Sequence, residues 1–479
     1  MNQPRRRRPG DRVIRRRLNP TRVIELPEPQ EPARQPTVAF HARLFIGAFV
    51  GIVSIGTLLL MLPWVARSGD STSIADSLFI AMSALTVTGL VTLDTATHWN
   101  WFGQFVILIL IQAGGLGFMV GASIVLTALR GGVSSLRHQM MISDNLPTLS
   151  LRDSVAMAGR IARFTFVIEA VGAVLLTLLF LRDRGPLDAL WHGIFHSVSA
   201  FCNAGFDLQG GFNSLTAFEG AIALNLIFIV LIQSGALSYF AFHDVSQNRR
   251  WRGLTVNTRL VLTFNAVLTL LGFLFFLAAE WNGAMSDSQV WTRPLQALFE
   301  SVSGRTAGFT TTDFSAVSTV TTFSWVGLMF IGGASGSTAG GIKMTTVAIV
   351  LIAVLSELRG KEEPEVFRRR IPMSLVTRAT AIVMMFILIN FVLTLALAST
   401  EHLYGIDPPF VSILFETVSA QATNGLSTGL TPDLSTPGKL ILVSAMFIGR
   451  LGPLTLAYAL TQRRQRSPYR YPETTVHIG

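Results

Sequence analysis

The sequence is poor in charge and nearly free of cysteine. Only 14% of its 479 residues are charged, half are apolar, and Cys202 is the single cysteine. One cysteine excludes an internal disulfide, and a chain with a mean hydropathy of +0.50 is not an ordinary soluble protein. The sequence also lacks the residue spacing of a zinc site or a nucleophilic triad, so we expect neither an enzyme nor a transition-metal site. His192 and His196 are interpreted as helix residues rather than metal ligands.

The chain contains several long apolar runs. Residues 44–65, 102–129 and 379–398 are each long enough to cross about 30 Å of hydrocarbon as a helix. Eight runs reach this length and four shorter ones do not. We therefore predict an all-α polytopic membrane protein with eight transmembrane helices.

Arginine placement predicts the orientation of these helices. A net charge of +10 would suggest nucleic acid binding in a soluble protein. Here the arginines crowd both tails and the connections 130–163, 249–259 and 359–378. The positive-inside rule places these stretches and both termini in the cytoplasm, with the chain crossing the plasma (inner) membrane many times. The expected partner is therefore the lipid bilayer and not nucleic acid.

Four segments of similar pattern divide the chain into quarters. Residues 79–90, 195–206, 299–309 and 415–426 each begin with phenylalanine, continue as a short apolar helix and reach a glycine-bearing bend. Their glycines are 116, 103 and 117 residues apart (205 − 89, 308 − 205 and 425 − 308). A helix too short to cross, placed between two that can, indicates a re-entrant pore helix. Its recurrence predicts four pseudo-symmetric M1–P–M2 (potassium-channel-like) repeats, with four re-entrant pore helices in all.

The repeats set the predicted domain boundaries. Residues 1–40 form a basic, flexible cytoplasmic tail, and 463–479 form a second cytoplasmic tail. Between the tails lie repeat 1 (41–130), repeat 2 with its preceding cytoplasmic loop (131–243), repeat 3 (244–359) and repeat 4 (360–462).

The four glycine-bearing bends are predicted to surround a cation. A dehydrated potassium ion needs several oxygens at once, and backbone carbonyls supply them where the chain adopts an extended conformation that glycine makes accessible. The C-terminal end of each pore helix adds partial negative charge. Four unrelated tight turns are the alternative, but they would not share a register. The predicted potassium-binding residues, called the filter segments, are Thr86, Val87, Thr88 and Gly89; Cys202, Asn203, Ala204 and Gly205; Thr306, Ala307 and Gly308; and Thr423, Asn424 and Gly425.

A run of ten small residues interrupts the third inner helix. Each glycine in a helix costs about 1 kcal/mol relative to alanine, so such a run cannot hold a lipid-facing helix. Close helix packing is the alternative interpretation. A phosphate-binding P-loop is discarded because the lysine comes one position late and no strand precedes the run. We predict an intramembrane gate loop over residues 332–342, below the filter, with the small residues Gly332, Gly333, Ala334, Ser335, Gly336, Ser337, Thr338, Ala339, Gly340 and Gly341.

Two basic residues stand where the membrane is expected. Arg450 lies mid-span in the last inner helix, where a cation costs roughly 3 kcal/mol unless it faces water or a partner. We predict that Arg450 faces the cavity and holds the gate loop through backbone carbonyls, with Lys343 in a similar role; a structural salt bridge is the alternative. Arg305, Glu300 and Glu416 are interpreted as buried pairs that brace the filter.

In these motifs the chain resembles the TrkH/KtrB family of bacterial potassium-uptake pore subunits, closest to KtrB. The resemblance is carried by residues 86–90, 203–206, 305–309, 332–343, 424–427 and 449–453 and covers roughly residues 40–462. It implies a homodimeric pore on a cytoplasmic, RCK-type nucleotide-binding regulatory ring (KtrA/TrkA-like). Nucleotide (ATP/ADP or NAD) is then expected only on that partner, with no cofactor in this chain, K⁺ as the transported ion and Na⁺ as a candidate activator.

The expected function is potassium uptake across the plasma membrane, gated by the loop and the arginine under control of the regulatory subunit. One alternative is an ion-coupled secondary symporter of potassium with sodium or protons, in which the broken helix moves. Another is a non-conducting receptor or scaffold. Against the symporter, the repeats look parallel, whereas an inverted repeat would place re-entrant loops on both sides of the membrane.

Overall fold

The computed structural model describes residues 38–132, 151–361 and 363–452. The second predicted tail, nearly all of the first and most of the loop ahead of the second repeat lie outside the described residues. Within them the fold is almost entirely helical. In chain order the helices are α1 Val38–Leu60, α2 Ile74–Thr86, α3 Thr95–His98, α4 Trp101–Gly132, α5 Leu151–Phe180, α6 Pro186–Cys202, α7 Ile222–Ala236, α8 Tyr239–Gln247, α9 Val256–Glu280, α10 Arg293–Ser303, α11 Thr319–Met329, α12 Met344–Leu358, α13 Met373–Leu403, α14 Phe410–Ala422 and α15 Thr436–Leu451.

Among the residues that the structure describes, three helices are long and apolar enough to cross a membrane by length and composition. They are Ala156–Phe180, Val256–Glu280 and Met373–Leu403, and α7 with α8 makes a fourth if the bent pair counts as one span. Their outward faces carry exposed large side chains such as Leu178, Leu271 and Leu388, as expected where lipid is the solvent. The remaining apolar helices are shorter over their described lengths, so the total of eight spans stays a prediction.

The four short helices α2, α6, α10 and α14 form the centre of the fold. Each contains one phenylalanine of the repeated pattern, and Phe79, Phe195, Phe299 and Phe415 are all fully buried. Each short helix packs against the inner helix that precedes it in the ring: α6 on α4, α10 on α7, and α14 on α11. The contact of α2 with α15, the last described helix, closes the ring.

The apolar run of residues 218–242 is predicted from sequence as one inner helix, and that prediction is wrong. The structure divides it into α7 and α8, which meet at an angle of 95°. Leu237 is extended (φ −83°, ψ 132°), and the side chain of Ser238 accepts a hydrogen bond from the N–H of Ala241, so a new helix begins there.

A second element is absent from the sequence interpretation. Glu365–Val366 (β1) and Arg369–Arg370 (β2) pair as a small antiparallel hairpin between α12 and α13. Phe367 and Arg368 form its two-residue turn, with φ of 49° and 63°. Both are left-handed conformations that hairpin turns of this length require and that glycine or asparagine usually supplies.

Candidate functional site

Three of the four short helices end in the same way. Val87, Asn203 and Thr423 follow α2, α6 and α14 with φ of 57°, 58° and 51°, a left-handed cap that is rare outside glycine. In each case the next N–H returns to the pore-helix serine carbonyl over 2.8 Å, as in Thr88 to Ser83. Thr86 and Cys202 are the last helical residues of α2 and α6. The backbone therefore leaves each of these helices abruptly and at the same point relative to its glycine.

The third filter segment departs from this pattern. Its helix ends at Ser303, Gly304 follows in a right-handed conformation, and the left-handed cap is missing. Thr306 has φ of 125°, and the N–H of Ala307 donates to the carbonyl of Ser303 over 3.0 Å. The sequence already differs here, because Phe299 precedes its glycine by nine residues (308 − 299), against ten in each of the other segments.

The four filter glycines lie next to one another in a closed ring. All four have positive φ, from 73° to 96°. A Cβ built on each would lie 3.0 to 3.1 Å from the Cα of the next, in the order Gly89, Gly205, Gly308, Gly425 and back to Gly89. The same Cβ atoms would crowd or overlap the carbonyl oxygens of Ala204, Ala307, Asn424 and Thr88, respectively. Any side chain at these positions would therefore collide with the neighbouring segment.

This arrangement places backbone oxygens from four segments around one axis. The residues of the filter segments are buried, and the C-terminal ends of four short helices meet the same region. Carbonyl oxygens in a ring can replace the hydration shell of a monovalent cation, and helix C-termini favour positive charge. The site requires no ionised side chain within the ring.

A serine in each short helix ties the helix to the filter glycine or to the residue that follows it, and the sequence interpretation missed it. Gly89 and Gly425 donate their N–H groups to Ser83 Oγ and Ser419 Oγ, each over 3.1 Å. Ser199 Oγ donates to the carbonyl of Phe206 over 2.7 Å, and Ser303 Oγ donates to the carbonyl of Phe309. Each serine stands four positions after the phenylalanine that opens its segment, which is the signal that identifies it.

The interpretation of Glu300 and Glu416 as members of buried ion pairs is wrong. Glu300 Oε1 accepts the N–H of Thr311 over 2.7 Å, and Glu416 Oε1 accepts the N–H of Thr428 over 2.8 Å. Nearby hydroxyl groups complete both sites. The two carboxylates therefore hold the backbone that follows the third and fourth filter segments.

Arg305 forms its hydrogen bonds with an outer helix and not with Glu300 or Glu416. Its guanidinium donates to Asn265 Oδ1 over 2.7 Å and to Thr269 Oγ1 over 2.6 Å, both on the outer helix α9. The side chain therefore points away from the ring and fixes the third filter segment against α9. Only backbone atoms of this segment take part in the ring contacts described above.

The histidines and the cysteine belong to the packing behind the second filter segment. His196 Nδ1 lies 2.7 Å from the carbonyl of His192, and its Nε2 accepts the N–H of Leu208. Cys202 Sγ is buried 3.7 Å from Glu169 Oε1, and Gln112 donates to the other oxygen of Glu169. In the described part of the chain, no three histidine, cysteine or acidic side chains cluster as a metal site.

The predicted gate loop has no helix between Met329 and Met344 and lies against two filter segments. Thr338 Oγ1 donates to the carbonyl of Phe201 and accepts from Asn203 Nδ2, and the N–H of Thr338 donates to the carbonyl of Gly235. On its far side a Cβ on Gly340 would overlap the Thr423 side chain. Most of the loop is buried. It therefore runs beneath the ring from the second segment to the fourth.

Arg450 is buried beside this loop. Its Nη1 donates to the carbonyl of Thr338 over 2.6 Å, and its Nη2 donates to the carbonyl of Gly114 in α4 over 2.9 Å. Lys343 Nζ lies 2.5 Å from the carbonyl of Ala339, within the loop itself. Arg450 therefore links the loop to the first and last inner helices.

Comparisons with known proteins agree with this architecture. A family described as "TrkH: Cation transport protein" matches residues 34–466. The chain is 38% identical to the potassium/sodium uptake protein NtpJ of Enterococcus hirae, over 91% of this chain and 97% of that protein. It is 37% identical to the Ktr system potassium uptake protein B of Bacillus subtilis, over 91% and 96% of the two chains. The crystal structure of the potassium transporter TrkH from Vibrio parahaemolyticus shares the fold, with a TM-score of 0.72 over 90% of this chain and 86% of that one at 22% identity. This chain therefore belongs to the TrkH family of cation transport proteins.

Proposed function

We propose that this protein carries potassium into the cell through the ring of four filter segments. The observation that carries the proposal is the cyclic contact among Gly89, Gly205, Gly308 and Gly425, each against the carbonyl that precedes the next glycine. Such a ring suits a dehydrated alkali cation. Its carbonyl oxygens would not bind an anion and would not catalyse a reaction on a substrate. Two relatives are named for potassium uptake, and one of them also for sodium.

The architecture we propose is four M1–P–M2 repeats around this ring. Its support is the cyclic packing of α2, α6, α10 and α14 on the inner helices and the shared Phe-to-Ser spacing of the four segments. In this arrangement the filter lies towards the outside, and the ends of α7 and α12 lie towards the cytoplasm, where the arginine-rich connections belong.

We propose that the described conformation is closed. The gate loop lies beneath the ring, bonded to the second segment through Thr338 and held by Arg450. Opening then requires the loop to leave these carbonyls. An arginine at this place also raises the barrier to a cation until the loop moves.

Control from outside the chain completes the proposal. We propose a homodimer on a cytoplasmic RCK-type ring that carries the nucleotide, with Na⁺ as a candidate activator. The support is the family membership and the naming of one relative as a protein of the Ktr system.

The test is flux through the purified protein in liposomes with a matched pair of glycine variants. Gly425 and Gly429 both have positive φ, 96° and 91°, so alanine strains the backbone equally at both. Only at Gly425 would the new Cβ overlap a filter carbonyl, that of Thr88, whereas a Cβ on Gly429 would point into open space. We expect wild-type protein to take up ⁸⁶Rb⁺ in competition with K⁺ more than with Na⁺. Gly425→Ala should lose this preference or the flux itself, and Gly429→Ala should keep both.

Two outcomes would contradict the proposal. If Gly425→Ala and Gly429→Ala behave alike, the ring does not select the ion. If the reversal potential follows a sodium or proton gradient as well as potassium, the protein is a symporter and the ring is only part of its pathway.

A further inference from the structure

The loop between α8 and α9 presents a tryptophan among arginines. Arg249, Arg250 and Arg252 are exposed, and Trp251 between them is 49% exposed. None of these arginines takes part in an ion pair among the described residues. Three guanidinium groups and a large aromatic ring are therefore open to whatever lies beside this loop.

The loop is held in a fixed shape. Asp244 at the end of α8 accepts the side-chain amide of Asn248 and the N–H of Thr255, each over 2.9 Å. Arg259 Nε donates to the carbonyl of Leu254 over 3.0 Å. Because both ends are tied, the arginines between them are presented together, at little cost of ordering when they bind.

The hairpin tip adds a second basic group beside the first. The guanidinium of Arg259 stands 5.4 Å from the ring centroid of Phe367, which joins the hairpin to the start of α9. Arg368 and Arg369 are exposed, whereas Arg370 pairs with Glu363. A turn with two left-handed non-glycine residues is strained at both positions. The chain keeps Phe367 and Arg368 in this turn in spite of that strain.

The position of these residues favours a membrane surface over a soluble partner. α7 leads away from the second filter segment, and the chain then turns by 95° into α8, which runs across the direction of α7. A helix in that orientation, followed by an exposed tryptophan, is typical of the headgroup region of a bilayer, where tryptophan concentrates.

We propose that loop 248–254 and hairpin tip 367–369, together the basic patch, bind the phosphate groups of anionic phospholipids in the leaflet on the gate-loop side. Guanidinium groups bind phosphate through paired hydrogen bonds, and Trp251 inserts beside the headgroups. This binding goes beyond ion transport and does not depend on it.

The experiment measures lipid at Trp251 directly. The protein is reconstituted in phosphatidylcholine vesicles containing either brominated phosphatidylglycerol or brominated phosphatidylcholine. The fluorescence of wild type minus that of Trp251→Phe isolates this one ring. We expect brominated phosphatidylglycerol to quench it at a several-fold lower fraction of the lipid. Removing one arginine should weaken that preference in part, because each arginine adds to the attraction of an anionic surface.

Charge variants separate binding from folding. Arg249→Gln with Arg250→Gln and Arg252→Gln should abolish the preference, whereas lysine at the same three positions should retain most of it. Arg182→Gln serves as the control. Arg182 lies in the connection between α5 and α6, at the opposite end of α5 from the basic patch, so the lipid preference should not change. Equal quenching by the two lipids in the wild type, or a preference that survives the glutamine variant, would overturn the proposal. So would a Trp251 that neither lipid quenches but aqueous iodide does, since the patch would then face water and a soluble partner.

Discussion

Arg450→Gln should weaken the proposed closed conformation while removing little bulk from the protein. Arg450 spans two carbonyls that belong to different elements, Thr338 in the gate loop and Gly114 in α4. Glutamine is shorter and neutral, so it can reach one carbonyl at most. Glutamine is close to arginine in volume for a neutral side chain that can donate a hydrogen bond. The substitution leaves the filter segments unchanged.

The expected magnitude follows from the bonds that are lost. A hydrogen bond to a charged group contributes about 1.5–3 kcal/mol. Losing about 2 kcal/mol from the closed state alone raises the open-to-closed ratio about 30-fold. Removing a buried positive charge beneath the ring acts in the same direction, because it lowers the barrier to a cation.

The assay is ⁸⁶Rb⁺ uptake by liposomes that contain the chain alone, without a regulatory partner. Arg450→Gln should take up the ion at least tenfold faster than wild type, with K⁺ still preferred over Na⁺. Partial deletion within residues 333–340 of the gate loop should leak as well. Arg378→Gln, an exposed arginine on α13, is the matched control and should behave as wild type.

One result would refute the reasoning. If Arg450→Gln melts at the wild-type temperature yet takes up ⁸⁶Rb⁺ at the wild-type rate or more slowly, Arg450 does not hold a closed gate. Its contacts with the two carbonyls would then be structural only.

Two further predictions concern stability. Lys439 Nζ and Asp76 Oδ1 are 2.8 Å apart with side chains only 15% and 18% exposed, and they join α15 to α2 where the ring closes. In a double-mutant cycle of Asp76→Asn and Lys439→Met, thermal unfolding should give a coupling of about 1–2 kcal/mol, and a value near zero would mean that the pair does not fasten the ring. Replacing Phe367 and Arg368 by Asn and Gly should relieve the strained turn yet lose the contact with Arg259. We expect the relief of strain to dominate, so a protease should cut the hairpin of this variant more slowly than that of the wild type. Faster cutting would mean that the contact with Arg259 contributes more to the stability of the hairpin.

The central ring was predictable from sequence because its requirements are local. A phenylalanine, a short apolar helix and a glycine recur in all four segments. The phenylalanine is buried, the helix ends before the glycine, and the glycine has a positive φ. The serines four positions after each phenylalanine carried an equally regular signal. The departure of the third segment was also visible, as one residue fewer between Phe299 and Gly308.

Partners of buried polar side chains were not predictable in the same way. Glu300 and Glu416 looked like counter-ions for Arg305, yet the carboxylates bond to backbone N–H groups that follow the filter, and Arg305 bonds to α9. Which donor reaches a carboxylate depends on how helices distant in sequence are oriented. The bend at Ser238 was not predicted for a different reason. The residues around this helix-capping serine are apolar, so the hydropathy of the run stays high and does not indicate a helix end.

In the proposed pore, the four repeats do not contribute equally to the obstruction beneath the ring. Residues 330–343 come from one side only. The N–H of Thr338 donates to the carbonyl of Gly235, Arg450 donates to the carbonyls of Thr338 and Gly114, and Gly340 packs closely against Thr423 in the fourth segment. If the loop is the gate, as we propose, the passage opens by movement of this one segment and not by an equal widening of all four repeats. We then expect a displacement of α12 alone, which follows the loop directly, to open the pore.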